Sequence, residues 1–305
     1  MSSQYERYVV RKPLFEDFPD VRNRQSPPMT FMSGRQVPGA RHHVRLGWVN
    51  GIPDPNPHVY EHVHDYDELV HYWGGDAAVP QVLGGEIEYY IGGQPVTFNT
   101  TTCLFIPRGT PHGPVTWKKF EFPHMEMVMA LDNGQPADTD APHRPARAGP
   151  KKTQDFDFEQ YAVRSPMREA AIGFKGLQSP SMTYMSRIQV SRANLYIDWA
   201  WVYDIVEPVI GEHMHHNNDE IVLHIGGDPA HPEDLGADMV YGVGGDLLEF
   251  STSYGVFLPA GLRHGPLMWK KVRKPHVEMA IVFGVGTFQE RSDGSTRLSG
   301  LYPTN

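Results

Sequence analysis

The sequence predicts an all-β protein built from two tandem β-barrels, with short helices confined to the connections. Three observations predict it. The chain repeats itself at an offset of about 152 residues, as from Trp48-Val49 to Trp201-Val202. Within each repeat, polar and apolar residues alternate at period two and stop at Gly-Gly pairs. Gly (30) and Pro (27) are abundant among 305 residues, which suits many turns, and amphipathic helix patterns are scarce.

The repeat is carried by nine matches. Met29-Thr-Phe-Met-Ser33 answers Met182-Thr-Tyr-Met-Ser186, and Gln36-Val37 answers Gln189-Val190. Trp48-Val49, His62-x-His64, Gly-Gly-Asp76 and Gly92-Gly93 return as Trp201-Val202, His213-x-His215, Gly-Gly-Asp228 and Gly244-Gly245. Pro107-x-Gly109-x-x-His112-Gly-Pro114, Trp117-Lys-Lys119 and Pro123-His-x-Glu-Met127 return as Pro259-x-Gly261-x-x-His264-Gly-Pro266, Trp269-Lys-Lys271 and Pro275-His-x-Glu-Met279. So regular an offset assigns residues 1–28 to an N-terminal arm, 29–130 to a first barrel, 131–165 to a linker and 166–305 to a second barrel. The linker is polar, Pro-rich and aperiodic.

The elements follow in order. Glu86–Ile91 alternates before Gly92-Gly93, and Met239–Val243 runs into Gly244-Gly245, so each reads as the first strand of a hairpin. Thr102–Ile106 and Tyr254–Leu258 are short apolar runs that end at Pro, as buried strands do. Met125, Met127 and Met129 alternate with His124, Glu126 and Val128, giving one apolar face and one that can carry chemistry. Phe156 to Arg168 is the one segment that reads as a short helix.

Composition excludes several classes. The net charge is −9 and no basic run follows a nucleic-acid backbone, so no nucleic-acid partner is expected. No run of 18 apolar residues spans a membrane. The N-terminus lacks the apolar core of a signal peptide, and Cys103 is the only cysteine, which excludes an intrachain disulfide. A cytoplasmic protein is the expectation.

The chemistry concentrates in two sets of residues: His62, His64, Glu68 and His112, and His213, His215, Glu220 and His264. Residues i and i+2 of a strand face the same side, so His62 projects with His64 and His213 with His215. A bend returns Glu68 or Glu220 to that interior, and His112 or His264 follows a Pro-x-Gly turn. Three imidazoles and a carboxylate suit Fe(II), Mn(II), Cu(II), Ni(II) or Zn(II), up to two ions per chain. The lack of thiolates argues against a structural zinc site.

These motifs, HxH-x3-E-x5-G with PxGxxH in the first half and HxH-x4-E-x5-G with PxGxxH in the second, resemble the paired motifs of the cupins. The chain therefore resembles a bicupin over most of 29–130 and 182–285, which implies two cupin-type jelly-roll β-barrels with the metal inside. Thr116 and Met268 stand where the family usually has asparagine, and the aromatic-rich surroundings of oxalate decarboxylase-like members are missing.

Other interior positions are candidates for contact with substrate. Tyr60 lies two residues before His62, where the second half has Gly211. Tyr72 and His224 lie four residues beyond Glu68 and Glu220. Glu126 and Glu278 pair with His124 and His276 on one strand face and could move protons. Lys118, Lys119, Lys270 and Lys271 read as a solvated face beside a packed Trp, Cys103 as a small buried side chain, and Gly74-Gly75-Asp76 as a turn. His58, His71, His216 and His231 lack repeat partners and are expected at the surface. The function expected is a mononuclear non-haem dioxygenase or other oxidoreductase acting on a small organic substrate, with Fe(II) favoured. The alternative is a lyase, decarboxylase, isomerase or hydrolase using the ion as a Lewis acid, and a non-catalytic binding cupin is the third reading. Pairing through sheet edges makes a homodimer the expected assembly.

Overall fold

The computed structural model describes residues 3–16, 18–132, 157–215, 217–293 and 295–297. It divides into two units, Pro13–Ser165 and Met1–Lys12 with Pro166–Asn305. The linker expected at 131–165 lies largely outside the described residues.

In the first unit, a long antiparallel sheet runs in the order Ala162–Val163, Thr102–Ile106, Glu68–Gly74, His124–Ala130, His43–Asp54, Met29–Met32 and Leu14–Phe15. A second sheet, His112–Phe120, Val82–Ile91 and Gln94–Thr100, faces it. The sheets do not close by hydrogen bonds, so each barrel is a jelly-roll sandwich. Between them lie Val70, Tyr72, Leu104 and Ile106 from one face and Ile87, Tyr89, Phe98 and Trp117 from the other, all buried. At roughly 25 cal/mol per Å² of apolar surface, such a core supplies most of the drive to fold.

The second unit repeats the plan. Its larger sheet is Val9–Val10, Tyr254–Leu258, Glu220–Gly226, His276–Phe283, Leu195–Glu207 and Lys175–Leu177. Its smaller sheet is Asp246–Thr252, Asp234–Val243, His264–Val272, His213–His215 and Ser295–Arg297. The hairpins turn where expected, since Gly92, Gly93, Gly244 and Gly245 all take positive φ.

Two short strands come from outside the repeats. Val9 and Val10 pair with Val256 and Gly255, so the start of the chain edges the second unit's sheet. Ala162 and Val163 pair with Leu104 and Cys103 on the corresponding strand of the first. The helix expected over Phe156 to Arg168 shrinks to a 3-10 turn, Phe158–Tyr161, capped by Asp157. Pairing along a free sheet edge outweighs the weak helical preference of Ala162-Val163. The one α-helix among the described residues is Phe288–Asp293, and none is long and apolar enough to cross a membrane.

Two histidines expected at the surface are buried. His71 is 0% exposed on the outer face of its strand, 5.1 Å from the Trp73 ring. His58 is 2% exposed and stacks on Trp117 at 5.1 Å. Asn56 brings it there by donating to Trp117 O (2.9 Å) and accepting from Trp117 N (3.1 Å). His231 is exposed as expected, and His216 lies outside the described residues.

Candidate metal centres

Strand register brings the proposed ligands together. Glu68, Ala130 and His43 face one another across the larger sheet, and Glu68 points inward with them. His62 reaches the same place from the facing side, exchanging backbone hydrogen bonds of 2.9 Å with His112. The turn that precedes His112 is tied down twice. Gly109 N donates to His64 O at 2.8 Å, and Asp67 accepts from Arg108 N at 2.8 Å. The second unit copies both ties, from Gly261 N to His215 O (2.7 Å) and from Ala260 N to Asp219 (2.9 Å). Gly113 follows His112 at φ 91°, where a Cβ would come within 2.4 Å of Tyr60 O. Only glycine fits there.

In each set the four ligand atoms lie within 4.8 Å of one another. The imidazoles are fixed by their far nitrogens. His62 Nδ1 donates to Tyr60 O (2.7 Å), His112 Nδ1 to Thr110 O (2.8 Å), His213 Nδ1 to Gly211 O (3.2 Å) and His264 Nδ1 to Leu262 O (3.0 Å). That leaves Nε2 with a lone pair directed at the centre. Nε2 of His112 stands 3.0 Å from Glu68 Oε2, and Nε2 of His264 stands 3.0 Å from Glu220 Oε2. Among the described residues these buried nitrogens have no hydrogen-bond partner.

Two acceptors at that distance repel unless a cation lies between them. Burial, then the charge of His112, pushes His62 down to about 4. Burial, then His264, pushes His213 down to about 3, so both are neutral donors at pH 7. Burial raises the Glu68 carboxyl, but its contact with His112 and the histidine charges outweigh burial and bring it to about 2. Glu220 is likewise held low, against its burial, by His215 and His264. Neutral imidazoles, an ionised carboxylate and orphaned Nε2 atoms fit a divalent ion in each barrel.

Beyond these rows the barrels differ. In the first, Tyr72 and Glu126 face each other across the sheet, four residues along from Glu68. Tyr72 donates to Glu126 (2.6 Å), whose other oxygen pairs with Arg24 (2.5 Å), and Arg24 also contacts His58 Nε2 (2.6 Å). Burial raises Glu126, but Arg24, His58 and Tyr72 more than compensate and keep it ionised. Burial and the Glu126 charge push the Tyr72 hydroxyl well up. Tyr60 contributes its carbonyl to His62, and its side chain is half-buried.

In the second barrel the same row holds His224 opposite Glu278. His224 is 0% exposed and stacks on Tyr254 at 4.9 Å. Its nitrogens have no hydrogen-bond partner among the described residues. Burial holds it neutral, well below its ordinary value. Glu278 makes no hydrogen bond among the described residues. Burial, then the charge of Asp198, raises it to about 8. Asp198 pairs with Arg291, from the helix Phe288–Asp293, at 3.0 Å.

Sequence reasoning missed Arg24, Arg45, Asp198 and Arg291. Arg45 had a signal, because it is a lone cation in the apolar run His43–Val49. The repeated Trp-His pairs are structural, since Trp117 Nε1 donates to His124 (2.8 Å) and Trp269 Nε1 to His276 (2.9 Å). Lys118 and Lys119 pair with Glu88 and Glu86 at the surface.

No family model matches the chain, and no curated protein matches it. Among solved structures it is similar to oxalate decarboxylase from Bacillus subtilis at pH 4.6, with a TM-score of 0.54, 11% identity and coverage of 89% of this chain and 74% of that one. A second oxalate decarboxylase structure, described for its substrate binding mode and a reaction specificity switch, matches over the same shares at 0.54 and 12%. AerE from Microcystis aeruginosa matches at 0.49 and 10%, over 89% and 96%. At such identities the oxalate decarboxylase structures show the fold, which is that of a bicupin.

Proposed function

We propose that the chain is a metal-dependent lyase that removes a carboxyl group from a small organic acid, with the chemistry in the C-terminal barrel. The observation that carries this reading is Glu278: an unbonded, partly exposed carboxyl on the inner face of the sheet that also presents Glu220. Ala280 and Asp198 share that face and, like Glu278, are partly exposed.

A divalent ion held by His213, His215, Glu220 and His264 would supply Lewis acidity to a bound substrate oxygen. Glu278 supplies the proton. When the bond to the carboxylate carbon breaks, CO₂ leaves and the bonding pair stays on the substrate carbon. The protonated Glu278 carboxyl then donates to that carbon and recovers its proton from water. A carboxyl raised to about 8 is charged with a proton at neutral pH, as a general acid requires. Burial and the charge of Asp198 hold the proton there against the charge of Arg291. His224, neutral and stacked behind Glu278 on Tyr254, fills the wall and does not compete for the proton.

The similarity to oxalate decarboxylase structures supports a decarboxylase over the oxygenase expected from the donor set. Lewis-acid chemistry needs no redox change, so Mn(II) or Zn(II) would serve as well as Fe(II). The test is to supply the metal-loaded chain with a panel of small β-oxo and dicarboxylic acids and follow CO₂ and O₂ together. CO₂ release without matching O₂ uptake is expected. O₂ consumed in step with turnover would refute the lyase reading and restore the oxygenase.

A further inference from the structure

Val9–Val10 and Ala162–Val163 fall outside the nine sequence matches, yet they answer one another. Each follows a short 3-10 turn, Gln4–Tyr8 or Phe158–Tyr161. Glu6, Tyr8, Val10, Arg11 and Pro13 return as Glu159, Tyr161, Val163, Arg164 and Pro166. The same ion pair closes each turn, Arg11 with Glu6 (2.7 Å) and Arg164 with Glu159. Both segments dock in one register. Val10 lies opposite Gly255 and Val163 opposite Cys103, and Gly255 and Cys103 are themselves equivalent. These are two copies of one arm, and each leads at its proline into the barrel it does not complete. Met1–Lys12 belongs to the second unit although Pro13 begins the first, and the first unit runs on to Ser165.

The N-terminal arm is built into its site. Tyr5 and Val9 pack against the core of the second barrel, and Val10 is buried. A Cβ at Gly244 would come within 2.1 Å of the Tyr5 ring, so the ring seats directly on that hairpin turn. Ser3 donates to Asp246 (2.6 Å), Arg11 donates to Glu249 O (2.6 Å), and the Arg11 guanidinium covers the Phe250 ring at 4.3 Å. In the first barrel Phe158 is buried in the core, with Tyr161 and Ala162 against it. The receiving strands lead to the metal ligands. Tyr254–Leu258 sets Leu258 opposite Glu220 and runs directly into the turn before His264. Thr102–Ile106 sets Ile106 opposite Glu68 and runs into the turn before His112. Without its arm each strand would be the open edge of its sheet, with unpaired N–H and C=O groups and a larger open population.

We propose that the arms are reciprocal positioning elements: each repeat steadies the metal turn of the other repeat's barrel by seating its arm on the strand that leads into that turn. The two centres are therefore cross-coupled. Damage to the N-terminal arm reaches the second centre and spares the first, which follows it directly in the chain. The coupling does not depend on the reaction performed at either centre.

Hydrogen exchange on the metal-free full chain reads the docking, and the rate of Mn(II) loss to a chelator reads its effect. Val10→Asp puts a charge at a buried position and unseats the arm. Exchange should quicken at Tyr254–Leu258 and stay unchanged at Thr102–Ile106. In a His64→Ala background, which keeps only the second centre, Mn(II) loss should quicken about 10-fold as that strand opens more often. In His215→Ala, which keeps only the first, it should not change. Val163→Asp should give the mirror image. The exchange pattern needs no metal, so it stands apart from the ligand assignment. Equal effects on both barrels, an effect confined to the barrel that follows the altered arm, or quickened exchange with unchanged Mn(II) loss would each overturn the proposal. Should Val10→Asp unfold the second unit, the milder Tyr5→Ala should show the same crossed pattern, and wild-type exchange and metal loss in that variant would overturn it equally.

Discussion

Replacing Glu278 with Gln should sharply lower activity while making the protein more stable at alkaline pH. The side chain keeps its shape and loses its charge. In the folded chain the carboxyl titrates at about 8, against an ordinary 4.5. Between those values the folded state holds a proton that the unfolded state has released, so wild-type stability falls as pH rises through that window. A displacement of that size bounds the cost at about 5 kcal/mol, and water reaching the partly exposed carboxyl reduces it to about 1–3 kcal/mol. Gln escapes this cost. At pH 9 the melting temperature of the C-terminal unit should rise by about 2–10 °C, while at pH 4 it should match wild type. Activity should drop about 10²- to 10⁴-fold, the usual contribution of a general acid. The wild-type rate should be level below pH 8 and decline above it. Calorimetry at both pH values and initial rates across the range provide the assay. Equal melting at pH 9, or a wild-type rate that climbs above pH 8, would refute the reasoning.

Three further outcomes follow from the same geometry. Arg24→Leu strands the buried Glu126 carboxylate and should cost about 3–5 kcal/mol in urea unfolding, most of it restored in the Arg24→Leu/Glu126→Leu pair. The wild-type contribution of Glu126 is complete above its ordinary pKa of 4.5 and fades as pH falls through its lowered folded value, so the Arg24→Leu defect should shrink in acid. Gly113→Ala forces a Cβ toward Tyr60 O at positive φ, costing about 1–3 kcal/mol in backbone strain alone and weakening metal uptake in the first barrel without touching the second. Trp269→Phe leaves His276 Nε2 a buried acceptor without its donor and should destabilise the second unit by about 1–3 kcal/mol, with metal content unchanged.

The ligand sets were legible because they obey two local rules, strand alternation and a turn before the last histidine, and because the duplication states them twice. The apolar runs and Gly-Gly hairpins were legible for the same reason. Partnerships made between distant segments were not. Arg291 reaches Asp198 from a helix outside the repeat, and Arg24 reaches Glu126 from a three-residue strand that carries no period. Strands of two residues, Val9–Val10 and Ala162–Val163, are too short to alternate, so their addition to sheet edges left no trace in the pattern. His58 and His71 misled because the absence of a repeat partner says nothing about burial. One is drawn under the chain by Asn56, and the other sits on the outer face of a strand that is covered on both sides.

The central claim is that each barrel holds one divalent ion in its own three-histidine, one-glutamate set. Metal analysis of purified wild type, His64→Ala, His215→Ala and the double variant tests it most directly. The account predicts two, one, one and no equivalents, with all four proteins folded. Two equivalents retained after either single change would contradict the ligand assignment.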